Sequence, residues 1–229
     1  MKLYEYMHNA LKYTLKDLKA IVLLGIILSI SASVSEIDSE DLFLLIITMV
    51  ITLLLLFIEE AYRYKIIENT IKGDNNPPLI EFNKEFFKEG VIETIKFYIY
   101  IAIVEIISKI MDMYQDDSTQ IIMFVLGLIV FLAFIASSIN KVLHEGKFKS
   151  AFNLIEIFSF YKKIGFKDTL FLIVIGFIGY GLIVECVFDK GVLNLTHLLQ
   201  VIVSFFLSPI LLLFMTRLMA LFGKDAANA

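Results

Sequence analysis

The stretch IIMFVLGLIVFLAFIASSI, Ile121–Ile139, runs nineteen residues without one charged side chain. As a helix it would rise about 28 Å, close to the thickness of the hydrocarbon layer of a bilayer. A helix on the surface of a water-soluble bundle needs a polar face, and this one has none. The composition agrees: 59% of the chain is hydrophobic and the mean hydropathy is +0.81. Five more apolar segments can be marked, Ala20–Ser35, Leu42–Ile58, Val91–Ser108, Leu170–Val184 and Leu198–Thr216. Those starting at Ala20 and Leu170 are shorter and must borrow flanking residues or sit in thinned lipid. The expectation is an all-α integral membrane six-helix bundle, one transmembrane domain over residues 1–229.

The charges set its orientation. The connections Glu36–Asp41, Lys109–Gln120 and Glu185–His197 hold only two basic residues, Lys109 and Lys190. The N-terminus, the alternate connections and the C-terminus hold nearly all the others. Counting Glu105 with the first group, one side carries ten acids against two lysines and the other fourteen acids against eighteen bases. That asymmetry is the positive-inside pattern, so a multi-pass protein of the cell membrane with both termini in the cytoplasm is expected. The basic side would suit an anionic leaflet. The apolar run ending at Ser31-Ala32-Ser33 has the look of a cleavable signal, but nineteen leading residues that include Glu5 and Asp17 favour an anchor.

Three stretches on the basic side read as amphipathic helices lying in the headgroup region. Leu3, Met7, Leu11, Thr14 and Leu18 recur at helical spacing in the first. Phe82, Phe86, Phe87 and Gly90 do so within Leu79–Gly90, and Phe148, Ala151, Phe152, Ile155 and Phe158 in the third. Gly90 and Gly165 would then turn the chain into the membrane. The bundle thus parses into three similar hairpin units, roughly 1–73, 74–143 and 144–229, each preceded by an interfacial helix. Past the second span, Glu59–Lys72 contains no breaker and ends at Gly73. This predicts a helix projecting about four turns into the cytoplasm or bending along the surface. Asp74-Asn75-Asn76-Pro77-Pro78 is the clear loop.

The segment Ala61-Tyr62-Arg63-Tyr64-Lys65-Ile66-Ile67-Glu68-Asn69-Thr70-Ile71-Lys72-Gly73 resembles the signature of the DUF4013 family, archaeal, mostly methanogen, membrane proteins of unknown function. Tyr62, Ile66, Ile67, Asn69, Thr70, Ile71 and Gly73 agree with it, and Lys65 stands where Arg is usual. Glu81-Phe82, Gly146-Lys147-Phe148, Ala151-Phe152, Glu156-Ile157, Ser208-Pro209, Phe214 and Arg217 extend the likeness in order along the chain. The family's usual Trp is missing, Ala61 replaces a Gly, and Ile80 separates the prolines from Glu81. The resemblance implies a polytopic helical architecture and brings no activity with it.

Ionisable residues at membrane depth are the first candidates for function, since each is costly there unless paired or hydrated. Glu93 and Lys96 lie a turn apart near the inner end of the third span, Glu105 and Lys109 a turn apart near its outer end. The pairs point in different directions, which argues against one continuous polar track; local pairing with snorkelling and a lining role are the two readings. Glu59 and Glu60 stand where lysine is expected at a cytoplasmic exit, with Arg63 on the same face. With Arg217 they could form a charged inner gate, or simply an ion-paired exit. Asn69 and Thr70 are weak helix formers without an evident packing need; with Lys65 they suit a lipid headgroup or a peptide, or else a contact to the neighbouring helix. Pro209 removes the bond to the Phe205 carbonyl and is a candidate hinge. Gly176, Gly179 and Gly181 offer close helix packing.

Catalytic patterns are missing from the sequence: no nucleophile elbow, no phosphate-cradling loop, no cysteine pair. Cys186 is alone, and His8, His144 and His197 fall in separate segments, so neither a metal site nor another cofactor is indicated. The expected partners are membrane lipids and a protein on the cytoplasmic face, with no nucleic acid and no oligomeric state specified. Two functions remain open: a transport or lipid-handling protein, and a non-catalytic scaffold that uses its cytoplasmic helices to bind a partner or sense the membrane.

Overall fold

A computed structural model describes residues 2–35, 41–113, 116–188 and 197–228. Among them the regular structure is all helical: α1 (Lys2–Lys16), α2 (Leu18–Ser35), α3 (Leu42–Lys72), α4 (Lys84–Met113), α5 (Asp117–Leu143), α6 (Leu154–Ile164), α7 (Phe166–Phe188) and α8 (His197–Asn228), with a 3-10 turn at Phe148–Phe152 before α6. Cys186 has no described side chain. The outer connections at 36–40, 114–115 and 189–196, Lys190 with them, lie outside the described residues.

Polar side chains open these helices. Asp41 caps α3 by accepting from the Phe43 N–H at 2.9 Å, and Asp116 caps α5 by accepting from that of Thr119 at 2.9 Å. Asp17 accepts from Ala20 at the start of α2, and Asn83 from Phe86 at the start of α4. Gly73 closes α3 in the left-handed region at φ 96°, which lets its own N–H reach Thr70 O and the next N–H reach Asn69 O.

Among the described residues three helices are long and apolar enough to cross a membrane, Leu42–Lys72, Ser118–Leu143 and Val201–Asn228, with Leu18–Ile30 a shorter apolar helix. Burial is uneven along them. The first half of α3 is bare: Leu42–Ile47, Met49, Val50, Leu53 and Leu54 are exposed, whereas Glu60, Ala61, Tyr62, Tyr64, Ile66, Ile67 and Thr70 are buried. Ile121, Ile122 and Phe124–Leu126 at the start of α5 are likewise exposed, while Ala133–Ile139 are largely buried. Apolar surface of that extent, around all sides of a helix, suits lipid better than water. The protein core sits at the lysine-rich end.

There α8 is the central helix. Its Leu212 and Leu213 join Leu24, Ile27, Ala61 and Ile66 in one apolar cluster, and its Met215, Leu218 and Phe222 join Ile139, Ile157 and Leu172 in another. The packing crosses the boundaries of the three expected hairpin units. The pairs α4 with α5 and α7 with α8 pack together, but α2 lies mainly on α8 and α3 mainly on α4.

Two glycines permit the closest approaches. A Cβ on Gly25 would stand 2.4 Å from the Phe205 carbonyl oxygen, and one on Gly90 would stand 2.1 Å from that of Phe57. Phe205 is the carbonyl that Pro209 leaves without its helical N–H. So α2 docks on α8 at the point where proline has opened its hydrogen-bond ladder. Gly90 accordingly does not turn the chain: α4 runs unbroken from Lys84 through it, and the separate interfacial helix expected over Leu79–Gly90 is absent. A lone glycine inside a helix costs only about 1 kcal/mol, which the close contact with α3 offsets.

The other surface helices also differ from expectation. The third stretch is split, a 3-10 turn and then α6, because Tyr100 donates to the Ala151 carbonyl at 2.8 Å and draws the turn onto α4. The turn at Gly165 before α7 is as expected. In α1, Ala10, Tyr13 and Thr14 are buried and Tyr6 meets Phe222 edge-on at 5.1 Å, so this helix covers the end of α8. Burial, and next the hydrogen-bonded Asp225 carboxylate, push the Tyr6 phenol well above its usual range. Tyr4, Met7, Leu11 and Leu15 form the exposed apolar stripe of α1. Finally, Glu59–Lys72 does not project. It is the buried half of α3, packed between α4 and α8.

Candidate functional site

The central feature is a set of charges buried among α3, α4 and α5. On α4, Glu89, Glu93 and Lys96 fall on one stripe at intervals of four and three residues. On α5, Ser138 and Lys141 face them, three residues apart. Lys141 is 0% exposed and donates to Glu89 and to Glu93 Oε1, the latter at 2.8 Å, with its ammonium 4.3 Å above the Tyr64 ring. Lys96 donates to Glu93 and to the Ser138 hydroxyl, and Ser138 donates to Glu93 Oε2 at 2.9 Å. Glu93 and Lys96 are each 1% exposed. Neither snorkels, because both lie on the side of α4 that α5 covers, too far inside for their chains to reach solvent.

Beside this network, Arg63 donates to Glu60, both on α3. Glu60 is buried and Glu59 is half-buried next to it. Glu60, Arg63, Lys96, Ser138 and Thr216 line a cavity of about 20 Å³, which also touches Phe134 and Met219. Two larger, open clefts border the site from the lysine-rich end. One of about 620 Å³ is bounded by Tyr64, Lys88, Glu89 and Ile92 among others. One of about 400 Å³ adjoins it and shares Lys65 and Glu85. Glu89, 22% exposed, belongs both to the wider cleft and to the network. Charge chemistry therefore continues from an open surface into the bundle.

Arg217 stands apart from these groups. The expected cluster with Glu59, Glu60 and Arg63 does not form. Arg217, 1% exposed, donates to Asn9 Oδ1 at 3.3 Å, Thr70 Oγ1 at 2.6 Å, the Asp74 carbonyl at 3.1 Å and Asn75 Oδ1 at 2.9 Å. Its guanidinium lies 4.3 Å from the Tyr13 ring centre. One side chain thus ties α8 to α1, α3 and the loop after Gly73. Thr70, thought to lack a packing reason, is buried and holds Arg217 with its oxygen while donating to Ile66 O at 2.6 Å. It is unavailable to a lipid or peptide. Lys65 is paired with Glu68 at 3.0 Å, and Glu68 also takes Lys72 at 2.6 Å. Asn69 is partly exposed beside the narrower cleft.

Glu105 and Lys109 are exposed on the outer part of α4, away from the network. Pro209 is buried within α8. Lys141, Glu89 and Ser138 were not singled out from the sequence, though the signal was there: Glu89 continues the stripe of Glu93 and Lys96, and Ser138 with Lys141 closes an otherwise apolar helix. Among the described residues no group of three His, Cys, Asp or Glu is placed to hold a metal ion.

The fold and its site define an all-helical protein with helices suited to a membrane and a buried charge network at one end. The family profile for DUF4013, a protein family of unknown function, matches residues 44–188, and the chain belongs to that family. No curated protein and no solved structure matches it.

Proposed function

We propose that this is a six-span membrane protein, with α2, α3, α4, α5, α7 and α8 as spans and the lysine-rich end in the cytoplasm, that transports a small charged solute. The continuity of the 620 Å³ cleft with the buried network through Glu89 carries this reading. The cleft serves as a vestibule, and Lys141, Glu93 and Lys96 form the closed gate behind it. Buried charges in a membrane bundle are expensive, and their usual role is to line a solute or ion path. The test is flux: protein in proteoliposomes should dissipate an imposed ion or solute gradient, and Lys141→Met should change that rate at least tenfold. Vesicles as tight as protein-free ones, across cations, anions and protons, would reject it.

One observation favours a second reading. Behind the network the cavity is only about 20 Å³, too small for any solute larger than water. A non-catalytic scaffold would need no larger cavity. It would use the same cleft, rimmed by the Lys65–Glu68–Lys72 pairs, to hold a cytoplasmic protein. Binding of a partner that protects Lys88 and Glu145 from modification, with no flux, would select it. Lipid handling loses its proposed contact at Arg217, which is enclosed by α1, α3 and the Asp74–Asn75 loop.

A further inference from the structure

The cavity beside Lys96 is lined by polar side chains from four helices, Glu60 and Arg63 of α3, Lys96 of α4, Ser138 of α5 and Thr216 of α8. Its volume of about 20 Å³ exceeds the roughly 10–15 Å³ that one water needs, and a water stays in such a place when it finds two to four polar partners. Hydrogen-bond accounting supplies them. The Lys96 ammonium has three N–H groups and gives two, to Glu93 and Ser138. The Glu60 carboxylate accepts from Arg63 through Oε1, which leaves Oε2. The Thr216 hydroxyl gives its proton to the Leu212 carbonyl at 2.7 Å and keeps its lone pairs. Lys96, Glu60 and Thr216, which keep one donor and two acceptors, all line a space of one molecule, and a water that accepts once and donates twice would complement them.

We propose that this cavity is a binding site for a single water, which accepts from Lys96 and donates to Glu60 and Thr216. That water joins the Glu60–Arg63 pair to the Glu93–Lys96–Lys141–Glu89 network, so that α3, α4, α5 and α8 share one continuous set of hydrogen bonds. The positive groups around the space, Arg63 and Lys96, stand against a cation; Glu60 stands against an anion. The inference is independent of transport, since it concerns a bound molecule in the resting protein.

Two measurements on the full chain in nanodiscs test it. A density map at about 2 Å should show one solvent peak within hydrogen-bond reach of Lys96, Glu60 and Thr216. An infrared difference spectrum between ordinary and ¹⁸O-labelled water should show an isotope-sensitive O–H band, reduced at least fivefold in Thr216→Val. Should that variant not fold, the wild-type band and the map decide alone. An empty cavity in the map, or a wild-type spectrum with no isotope-sensitive band beyond that of the buffer alone, would each overturn the proposal. None of these outcomes depends on flux.

Discussion

Glu93 holds both buried lysines, Lys141 through one oxygen and Lys96 through the other. Removing it leaves two ammonium groups enclosed with Glu89 as the remaining carboxylate partner. Breaking a buried pair by deleting one member costs about 3–5 kcal/mol, because the partner keeps its desolvation penalty. Glu93→Ala should therefore destabilise the protein by about that amount in reversible unfolding, and Glu105→Ala, on the exposed part of α4, should shift it by less than 1 kcal/mol. Equal effects would mean that the network does not hold α4 to α5. Part of this was legible in the chain. The Glu93–Lys96 pair follows from helical spacing, but spacing on one helix does not say which helix covers it, so Lys141 and Ser138 stayed hidden. Arg217 was misassigned for the same reason: Glu60 and Arg63 pair on one helix, whereas the acceptors of Arg217 come from Asn9, Thr70, Asp74 and Asn75, far from it in sequence.

At the scale of elements, caps and close contacts decide where helices begin and how near they come. Asp116 accepts from the hydroxyl of Ser118 and from the N–H and hydroxyl of Thr119. These bonds, that of Ser118 foremost, lower its carboxyl to about 2. The folded value lies below the ordinary one of about 3.9, so the cap contributes fully above the latter and is lost as pH falls through the former. An NMR titration should find the Asp116 midpoint near pH 2; a midpoint near 4 would mean the cap is unmade. The contact of Gly25 with Phe205 has a steeper consequence. Gly25→Leu must drive α2 away from α8, which should cost about 1–3 kcal/mol, whereas Gly127→Leu, with nothing near its Cβ, should be neutral. Thermal unfolding of the two variants checks this, and similar melting points would refute the docking. The stop of α3 could be read from Gly73 itself, whereas the caps at Asp41 and Asn83 were not singled out. The continuity of α4 through Gly90 could not be read, since a glycine reads alike as a turn and as a place where two helices touch.

Across the whole molecule, apolar surface and charge divide the bundle into two ends. Outer halves such as Leu42–Leu54 stand bare, and the buried charges, Arg217 and the covering helix α1 gather at the other end. The alternation of charge along the chain foretold this division. The packing that makes α8 the hub could not be foretold, because six apolar helices of similar length can pair in many ways and composition does not choose among them. The arrangement we propose sets the bare halves in lipid and the lysine-rich end in the cytoplasm. Single cysteines placed by Asp38→Cys, Asp112→Cys, Lys84→Cys and Lys149→Cys, in a chain with Cys186→Ser, test that arrangement in intact cells. A thiol reagent that cannot cross lipid should modify positions 38 and 112 at least tenfold faster than 84 and 149. Modification of 84 and 149 with 38 and 112 spared would contradict the orientation, and equal modification of all four would contradict the membrane span itself.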